Sequence, residues 1–266
     1  TVLFWRGQPL TTIVESSFLA TIVGTRKPTG YGRIMTERIA GDLARAGLLI
    51  VSGLALGIDS LAHKAALDAG RPTIGVLACG VDITYPPQNA ALMARIIETG
   101  IVMSEHAPGT PPIKSFFPAR NRILSGLSDA VIVTEASMKS GSMITASFAA
   151  DQGRDVFAMP GNVLSLESEG CNQLIREGAF LLTRAEDVLW RIPTAQRMDS
   201  LSAAIRGDDP VDIESEICQT LAGGALTIDD LAVMLDREIA EMLCLLSDLE
   251  IRGRVQRERG RFALTV

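Results

Sequence analysis

The sequence predicts an α/β protein with a doubly wound, mostly parallel sheet, followed by a small C-terminal winged-helix domain. Its apolar strand segments, such as LATIV at 19–23 and AVIVT at 130–134, are continuous rather than alternating. Parallel strands that helices cover on both faces have this pattern. Each such segment is followed by a helical pattern, and a hydrophobic content of 47% with 5% aromatic residues is typical of this class.

The first domain is expected over residues 1–192, with a short entry hairpin at 1–18. Strand and helix then alternate. The predicted strands are 19–23, 48–51, 73–78, 101–105, 130–134, 155–158 and 180–183. The predicted helices are about 31–46, 58–69, 89–98, 121–127, 142–152 and 171–179. A long loop rich in Pro, Phe and Arg is expected at 107–120.

A polar, irregular stretch at 193–210 is predicted to be a linker, and residues 211–266 a winged-helix-like domain of three helices and a hairpin. The third helix would be the one that reads duplex DNA in such a domain. Here acidic residues, including Glu238 and Glu250, outnumber its arginines, and only the wing is basic. We therefore expect a protein-contact or accessory role for this domain.

The composition excludes several classes of protein. A net charge of −6 excludes a basic nucleic-acid coat, so any site for a polyanion must be local. The four cysteines form no CxxC pair, which indicates reduced thiols in a cytoplasmic protein. No apolar run is long enough to span a membrane, so no membrane association is expected. Whether a domain precedes Thr1 stays open.

Three loop segments, at 23–32, 52–59 and 117–142, carry the functional prediction. Each lies at a junction between an apolar strand and a helix, and each combines glycine with hydroxyl or cationic side chains. Glycine lets the backbone approach an anion, and a helix N-terminus favours negative charge. Because open α/β sheets bind ligands at their carboxyl edge, the three loops predict a site for phosphates.

The first two loops allow a simple alternative. Gly24, Thr25, Arg26 and Lys27 form either a phosphate site or an ordinary turn with solvated charge, and this loop alone does not decide between them. Gly53 closes a tight turn after the second strand. His63 follows it, and we expect a surface or half-buried histidine because no second ligand or carboxylate is near it in sequence.

The third segment is the most informative one. Phe117 lies beside Arg120, Asn121 and Arg122, and aromatic rings interleaved with cations suit single-stranded nucleic acid. A phenylalanine that only anchors the loop to the core is the alternative. Further on, Lys139 precedes a helix start, and cation, hydroxyls and free N–H groups together form an anion receptor there. The hydroxyl and glycine positions are Ser140, Gly141 and Ser142.

Signatures of catalysis are missing from the sequence. There is no GxGxxG with a downstream acid, no GxxxxGK[ST] and no GxSxG. We therefore expect no catalytic residues, no cofactor and no metal.

Several segments together resemble the DNA-processing protein A family, also called DprA or Smf. They include VGTRKPTGYG, SGLALGIDSLAHKAAL, GVDITYPPQN and FPARNRILSGLSDAVIVTEASMKSGSMITASFAADQGRDVFAMPG, in order over about 20–190. The resemblance implies an extended Rossmann-like fold that binds single-stranded DNA, forms a homodimer and loads the recombinase RecA during natural transformation. It implies no enzymatic activity.

The resemblance also assigns residues. The family's DNA pocket would use Gly24 to Arg26, Gly53, Arg120 to Arg122 and Lys139 to Ser142, and its dimer interface would use Leu174, Ile175 and Leu181. Many relatives have Arg at the positions of Leu56 and Ala119, so two phosphate contacts are expected to be lost here.

Two other functions stay open. One is a nucleotide-processing phosphoribohydrolase of the lysine-decarboxylase-like group, which needs a PGGxGTxxE loop where this chain has EASMKSGSMITA. The other is a winged-helix regulator with a ligand-sensing α/β domain, against which the acidic third helix argues.

Overall fold

The computed structural model describes residues 2–9, 18–191, 217, 220–221, 225–235, 239–251, 254–258 and 260–264. The chain divides into two compact units, Thr1–Ala204 and Ile205–Val266. The predicted linker at 193–210 lies outside the described residues. None of the helices in the described parts of the chain has the length and apolar character needed to cross a bilayer.

The described part of the first unit contains one sheet of eight strands, and the last seven agree with the seven predicted strands within about two residues. They are β1 Phe4–Gly7, β2 Leu19–Val23, β3 Leu49–Ser52, β4 Thr73–Val76, β5 Ile101–Ser104, β6 Ala130–Val133, β7 Asp155–Ala158 and β8 Phe180–Leu181.

Seven α-helices accompany these strands in the described part of the first unit. They are α1 Gly30–Arg45, α2 Ile58–Asp68, α3 Ala90–Thr99, α4 Phe116–Leu127, α5 Gly141–Asp151, α6 Glu169–Arg176 and α7 Glu186–Leu189.

The sheet order is β1-β5-β4-β3-β2-β6-β7-β8, and β1 alone pairs in the antiparallel sense. The chain therefore moves outward from β2 to β5 and then returns to place β6 on the other side of β2. The predicted doubly wound, mostly parallel sheet is confirmed. The switch point lies between β2 and β6, where the loops after neighbouring strands lead in opposite directions and leave a crevice.

Helices cover both faces of the sheet. Along β3, Leu49 and Val51 enter one apolar core with Ile123 and Leu124 of α4. Ile50 enters the opposite core, which contains Ile39, Leu43 and Ile58 from α1 and α2. Two buried faces explain why the strands are continuous apolar runs.

The structure differs from the sequence prediction at the entry hairpin and at the start of α4, and it adds α7, which was not predicted. The first arm of the expected entry hairpin, β1, pairs with β5 at the sheet edge, and residues 10–17, which would form the second arm, lie outside the described residues. Helix α4 begins at Phe116 rather than at 121, so the predicted loop at 107–120 is too long. Pro118 does not stop this helix because it lies in the first turn, where no N–H donor is needed.

The second unit has its own core, although only part of it is described. Helices α8 Ile228–Met234 and α9 Ile239–Ile251 precede the hairpin formed by β9 Val255–Glu258 and β10 Arg261–Leu264. Met242, Leu246 and Phe262 are among its buried residues. Glu250 is exposed on α9, whereas Glu238 and the side chains of Glu241 and Asp248 lie outside the described part of the chain.

Candidate functional site

The loops after β2, β3 and β6 are hydrogen-bonded directly to one another at the switch point. The Thr25 N–H donates to the Glu135 carbonyl at 2.7 Å, and the Ile58 N–H donates to the Thr25 carbonyl at 3.2 Å. Gly24 permits this junction, because a Cβ there would lie 2.6 Å from Ile58 Cγ1 and 2.7 Å from the Glu135 carbonyl oxygen. The predicted convergence of the loops is therefore present.

A cavity of about 740 Å³ opens above this junction. Nine of the residues that we predicted line it: Gly24, Thr25, Arg26, Phe117, Arg120, Asn121, Ser140, Gly141 and Ser142. Gly53 lines a smaller neighbouring cavity of about 80 Å³ that shares Arg26 and Phe117 with the first. The other three, Lys27, Arg122 and Lys139, line neither cavity.

One wall of the cavity is aromatic and cationic. The Phe117 ring is half-buried and lies 5.6 Å from the Tyr85 ring, centroid to centroid. The Arg26 guanidinium carbon lies 5.6 Å from the Phe117 centroid, and Lys114 is an exposed cation at the same cavity. This arrangement can stack a flat ring and neutralise an anion beside it. Sequence reasoning missed Tyr85, which follows β4 in a loop that carries no phosphate motif.

Arg120 occupies the floor of the cavity and is only 4% exposed. Its Nη1 atom donates to the carbonyl of Gly53 at 2.8 Å and also to the carbonyl of Val76. The side chain therefore joins the ends of β3 and β4. The Nη1 donors of Arg120 are therefore already engaged by the protein's own backbone.

A buried carboxylate lies near Arg120. Asp59 Oδ2 accepts from the Gly53 N–H at 3.1 Å and from the Ala55 N–H at 3.4 Å. Burial raises the pKa of Asp59, and the charge of Arg120 acts in the opposite direction. The absence of a side chain at Gly53 leaves room for both groups, because a Cβ there would lie 2.6 Å from Arg120 Nη2 and 2.7 Å from Asp59 Oδ2.

The N-terminus of α1 is filled by a carboxylate of the protein. Glu135 is 3% exposed, and its two oxygens accept from the Thr29 N–H at 2.8 Å and the Thr29 hydroxyl at 2.5 Å. Gly32 makes room for it, since a Cβ there would collide with Glu135 Oε2. This helix end therefore already holds its anion.

Among the described residues, no carboxylate is hydrogen-bonded to the N-terminus of α5, which opens to the cavity. Ser140 is its N-cap, and its Oγ accepts from the Ser142 N–H at 3.4 Å and lies 2.7 Å from Ser142 Oγ. Thr145, on the next turn, is fully buried and also lines the cavity. This helix end can receive an anion from outside.

Arg122, which was predicted to be in the site, and His63, which was not, both lie outside the cavity lining. Arg122 forms an ion pair with Glu105 at the end of β5. The expectation of a surface or half-buried His63 is wrong, because this side chain is fully buried and its Nδ1 lies 2.7 Å from the Thr73 hydroxyl. Burial lowers the pKa of His63 to about 3, so the ring is neutral.

The three residues of the predicted dimer interface differ in exposure. Leu174 is buried in the core beneath α6, and Ile175 is partly buried against the same core. Leu181 is 52% exposed on β8, the last strand of the sheet order. Of the three, Leu181 has the most surface free for another molecule.

The fold and the cavity define a Rossmann-like α/β protein with an anion-receptive crevice at its switch point. The chain belongs to the DNA recombination-mediator protein A family, whose model matches residues 1–193. The model of the DprA winged helix domain matches residues 202–261, which confirms the predicted class of the second domain.

Curated relatives carry the same family name. The chain is 49% identical to the DNA processing protein DprA of Streptococcus pneumoniae over 168 residues, covering 63% of this chain and 59% of that protein. It is 44% identical to the Bacillus subtilis DprA over 192 residues, covering 72% of this chain and 64% of the relative. The chain thus spans less than two thirds of either relative.

Solved structures of two relatives have the same fold. The crystal structure of the Streptococcus pneumoniae protein superposes with a TM-score of 0.68 at 44% identity, covering 72% of this chain and 66% of that one. The Helicobacter pylori DprA structure, described as showing a single-stranded DNA binding mode, gives a TM-score of 0.64 at 36% identity, covering 70% and 84%.

Proposed function

We propose that this protein binds single-stranded DNA in the cavity at the switch point and mediates recombination. In this role it protects incoming single strands and loads the RecA recombinase during natural transformation. The family description supports the role in recombination, and the single-stranded DNA binding mode described for the Helicobacter pylori protein supports the type of ligand.

The observation that carries the proposal is the composition of the cavity wall. Arg26 and Lys114 supply charge, Tyr85 and Phe117 supply aromatic faces, and the N-terminus of α5 supplies hydroxyls and N–H groups. Unstacked bases can lie on such rings while the cations hold phosphates. A duplex keeps its bases inside the stack, so the rings favour a single strand.

A titration with labelled oligo-dT tests this function. We expect the Arg26→Ala/Lys114→Ala variant to bind at least about tenfold more weakly than the wild type at low salt, because two phosphate contacts are lost. The matched control is Arg38→Ala/Lys64→Ala, which also removes two exposed cations, but from α1 and α2 and outside the cavity. Equal weakening in both variants would indicate non-specific attraction and reject the proposed site.

We further propose a homodimer that uses the β8 edge, with Ile175 and Leu181 as apolar contacts. The exposure of Leu181 and the unpaired outer side of β8 within the described sheet support it. Sedimentation of Leu181→Glu compared with the wild type tests this arrangement. A folded monomer is the expected result, whereas an unchanged dimer would place the interface elsewhere.

We propose that the role is not enzymatic and that it is performed in the cytoplasm. Cys79 and Cys171, the two cysteines whose side chains the structure describes, are free and buried, as in proteins of a reducing compartment. Incubation with nucleoside monophosphates tests the phosphoribohydrolase alternative. We expect no release of free base, and its release would show an enzymatic activity and contradict this proposal.

A further inference from the structure

The hydroxyl of Thr145 is a buried polar group that no other described group satisfies. Thr145 is fully buried on α5, lines the cavity, and has no hydrogen-bond partner for Oγ1 among the described residues. Buried hydroxyls are normally hydrogen-bonded, and an unpaired one lowers stability. This hydroxyl is therefore available to a ligand.

Other buried threonines of the first unit show what is normal in this fold. The hydroxyls of Thr21, Thr36 and Thr73 donate to the Leu124 carbonyl, the Thr134 hydroxyl and the Ile50 carbonyl at 3.0, 2.8 and 2.7 Å. Thr145 differs from these three although it is equally buried. Thr145, whose hydroxyl has no partner among the described residues, also lines the cavity.

The usual internal partner of such a threonine is already engaged. In a helix, a threonine hydroxyl often donates to the carbonyl four residues earlier, which here is Gly141. The Gly141 carbonyl instead accepts from Asn121 Nδ2 at 3.2 Å, a bond that joins α4 to the first turn of α5. Asn121 thus helps to leave the Thr145 hydroxyl available.

We propose that Thr145 donates a hydrogen bond to a phosphate oxygen of the single strand, bound at the N-terminus of α5 beside Ser140 and Ser142. This inference rests on the proposed function and adds a residue to its site. Threonine in a helix populates two χ1 rotamers. Rotation between them exchanges the hydroxyl with the methyl group, so a bound oxygen can recruit the hydroxyl without a change of the backbone.

Removal of a neutral donor to a phosphate should lower the affinity for DNA without changing the salt dependence of binding or lowering stability. Removal of a cation would change the salt dependence, and removal of a purely structural group would lower stability. Thr145→Val keeps the shape but removes the unpaired hydroxyl, so the thermal midpoint of the free protein should rise or stay constant. The affinity for oligo-dT should fall about fivefold, as for one neutral hydrogen bond. The salt dependence of binding should not change, because no counterion-releasing charge is lost.

Three further variants control this experiment. Thr145→Ser keeps the hydroxyl and should restore most of the affinity, and Thr145→Ala repeats the removal if the valine variant folds poorly. Thr36→Val removes an equally buried hydroxyl that has an internal partner, so it should lower stability and leave affinity unchanged. If Thr145→Val and Thr145→Ala bind oligo-dT within twofold of the wild type, the inference is wrong.

The failure of the inference can be distinguished from that of the proposed function. If the wild type itself does not bind oligo-dT, the proposed function fails. The Thr145 site is then tested with inorganic phosphate, by comparing the thermal shift that it produces in the wild type and in Thr145→Val. A larger shift in the wild type supports an anion site at α5, and equal shifts overturn it.

Discussion

The two helices that begin on either side of the switch point differ in what is bound at their N-termini, although both ends favour an anion. Helix α1 follows β2 and holds the Glu135 carboxylate at its N-terminus. Helix α5 follows β6 and is capped by Ser140, with the buried Thr145 hydroxyl left without a partner among the described residues. One end is satisfied by the protein, whereas the other is open to a ligand.

The same contrast separates two arginines of the cavity. Arg120 is buried and donates to backbone carbonyls, whereas Arg26 is exposed and lies over the edge of the cavity near Phe117. A cation or a helix end near a site is therefore not by itself a ligand contact. Groups that the protein itself already binds, such as Arg120, form a structural part of the site. Groups that have no such partner, such as Arg26, form a binding part.

The largest effect is expected at Arg120. Replacement by methionine keeps the bulk of the side chain but removes the donor to the carbonyls of Gly53 and Val76. It also removes the stronger of the two cations, Arg120 and Arg26, that act on the Asp59 carboxylate. The free energy of unfolding should fall by about 3–5 kcal/mol, because two buried carbonyls lose a charged donor and each unsatisfied group costs about 1–3 kcal/mol. Urea denaturation measures this loss.

The salt dependence of DNA binding then tests the structural role of Arg120. An uncharged Arg120→Gln variant that remains folded should keep the wild-type slope of log K against log salt, because Arg120 neutralises no phosphate. A slope that drops by one contact would place Arg120 in the binding part of the site.

The next effect is expected at Glu135. Glu135→Ala removes both bonds to Thr29 at the N-terminus of α1, and we expect a loss of about 2–3 kcal/mol in the free energy of unfolding, typical of hydrogen bonds to a charged group. Ser140→Ala at the other helix should cost only about 1 kcal/mol, the usual value of an N-cap. Equal losses in urea denaturation would contradict the contrast between the two helix ends.

The sequence predicted the sheet well because its signals are local. Continuous apolar runs located β2 to β7 within one or two residues, and glycine at strand ends located the loops that meet at the cavity. The start of α4 was missed because Pro118 is usual in loops, although the first turn of a helix accepts proline equally well.

The sequence could not predict which residues belong to the structural part of the site and which to the binding part. The hydrogen-bond partners that decide this are distant in the chain or are backbone groups that leave no sequence pattern. Glu135 contacts Thr29, which lies 106 positions earlier in the chain. Arg120 contacts two backbone carbonyls, which any residue could supply. The burial of His63 likewise depends on packing against β4, and the helical pattern around it contains no sign of this.

A smaller effect is expected at Arg26, on the binding side of the contrast. Arg26→Ala should leave the urea midpoint unchanged, because the side chain is exposed. It should reduce the slope of log K against log salt by about 0.7, the value for one phosphate contact on a single strand. Anisotropy titrations between low and moderate salt measure the slope, and an unchanged slope would remove Arg26 from the phosphate contacts.

The smallest effect is expected at Arg122, although the sequence places it beside Arg120 in the same motif. Its guanidinium is paired with Glu105, and the side chain lines neither of the two cavities at the switch point. Partly exposed ion pairs contribute about 0–1 kcal/mol, so Arg122→Ala should change stability by no more than that. Its affinity for oligo-dT should stay within about twofold of the wild type and its salt slope should be unchanged, because no phosphate contact is lost.

Glu105→Gln is the matched control, since it breaks the same pair and frees Arg122. If Arg122→Ala reduces the salt slope as Arg26→Ala does, the bound strand extends beyond the cavity along α4, and the binding part of the site is larger than the cavity wall indicates.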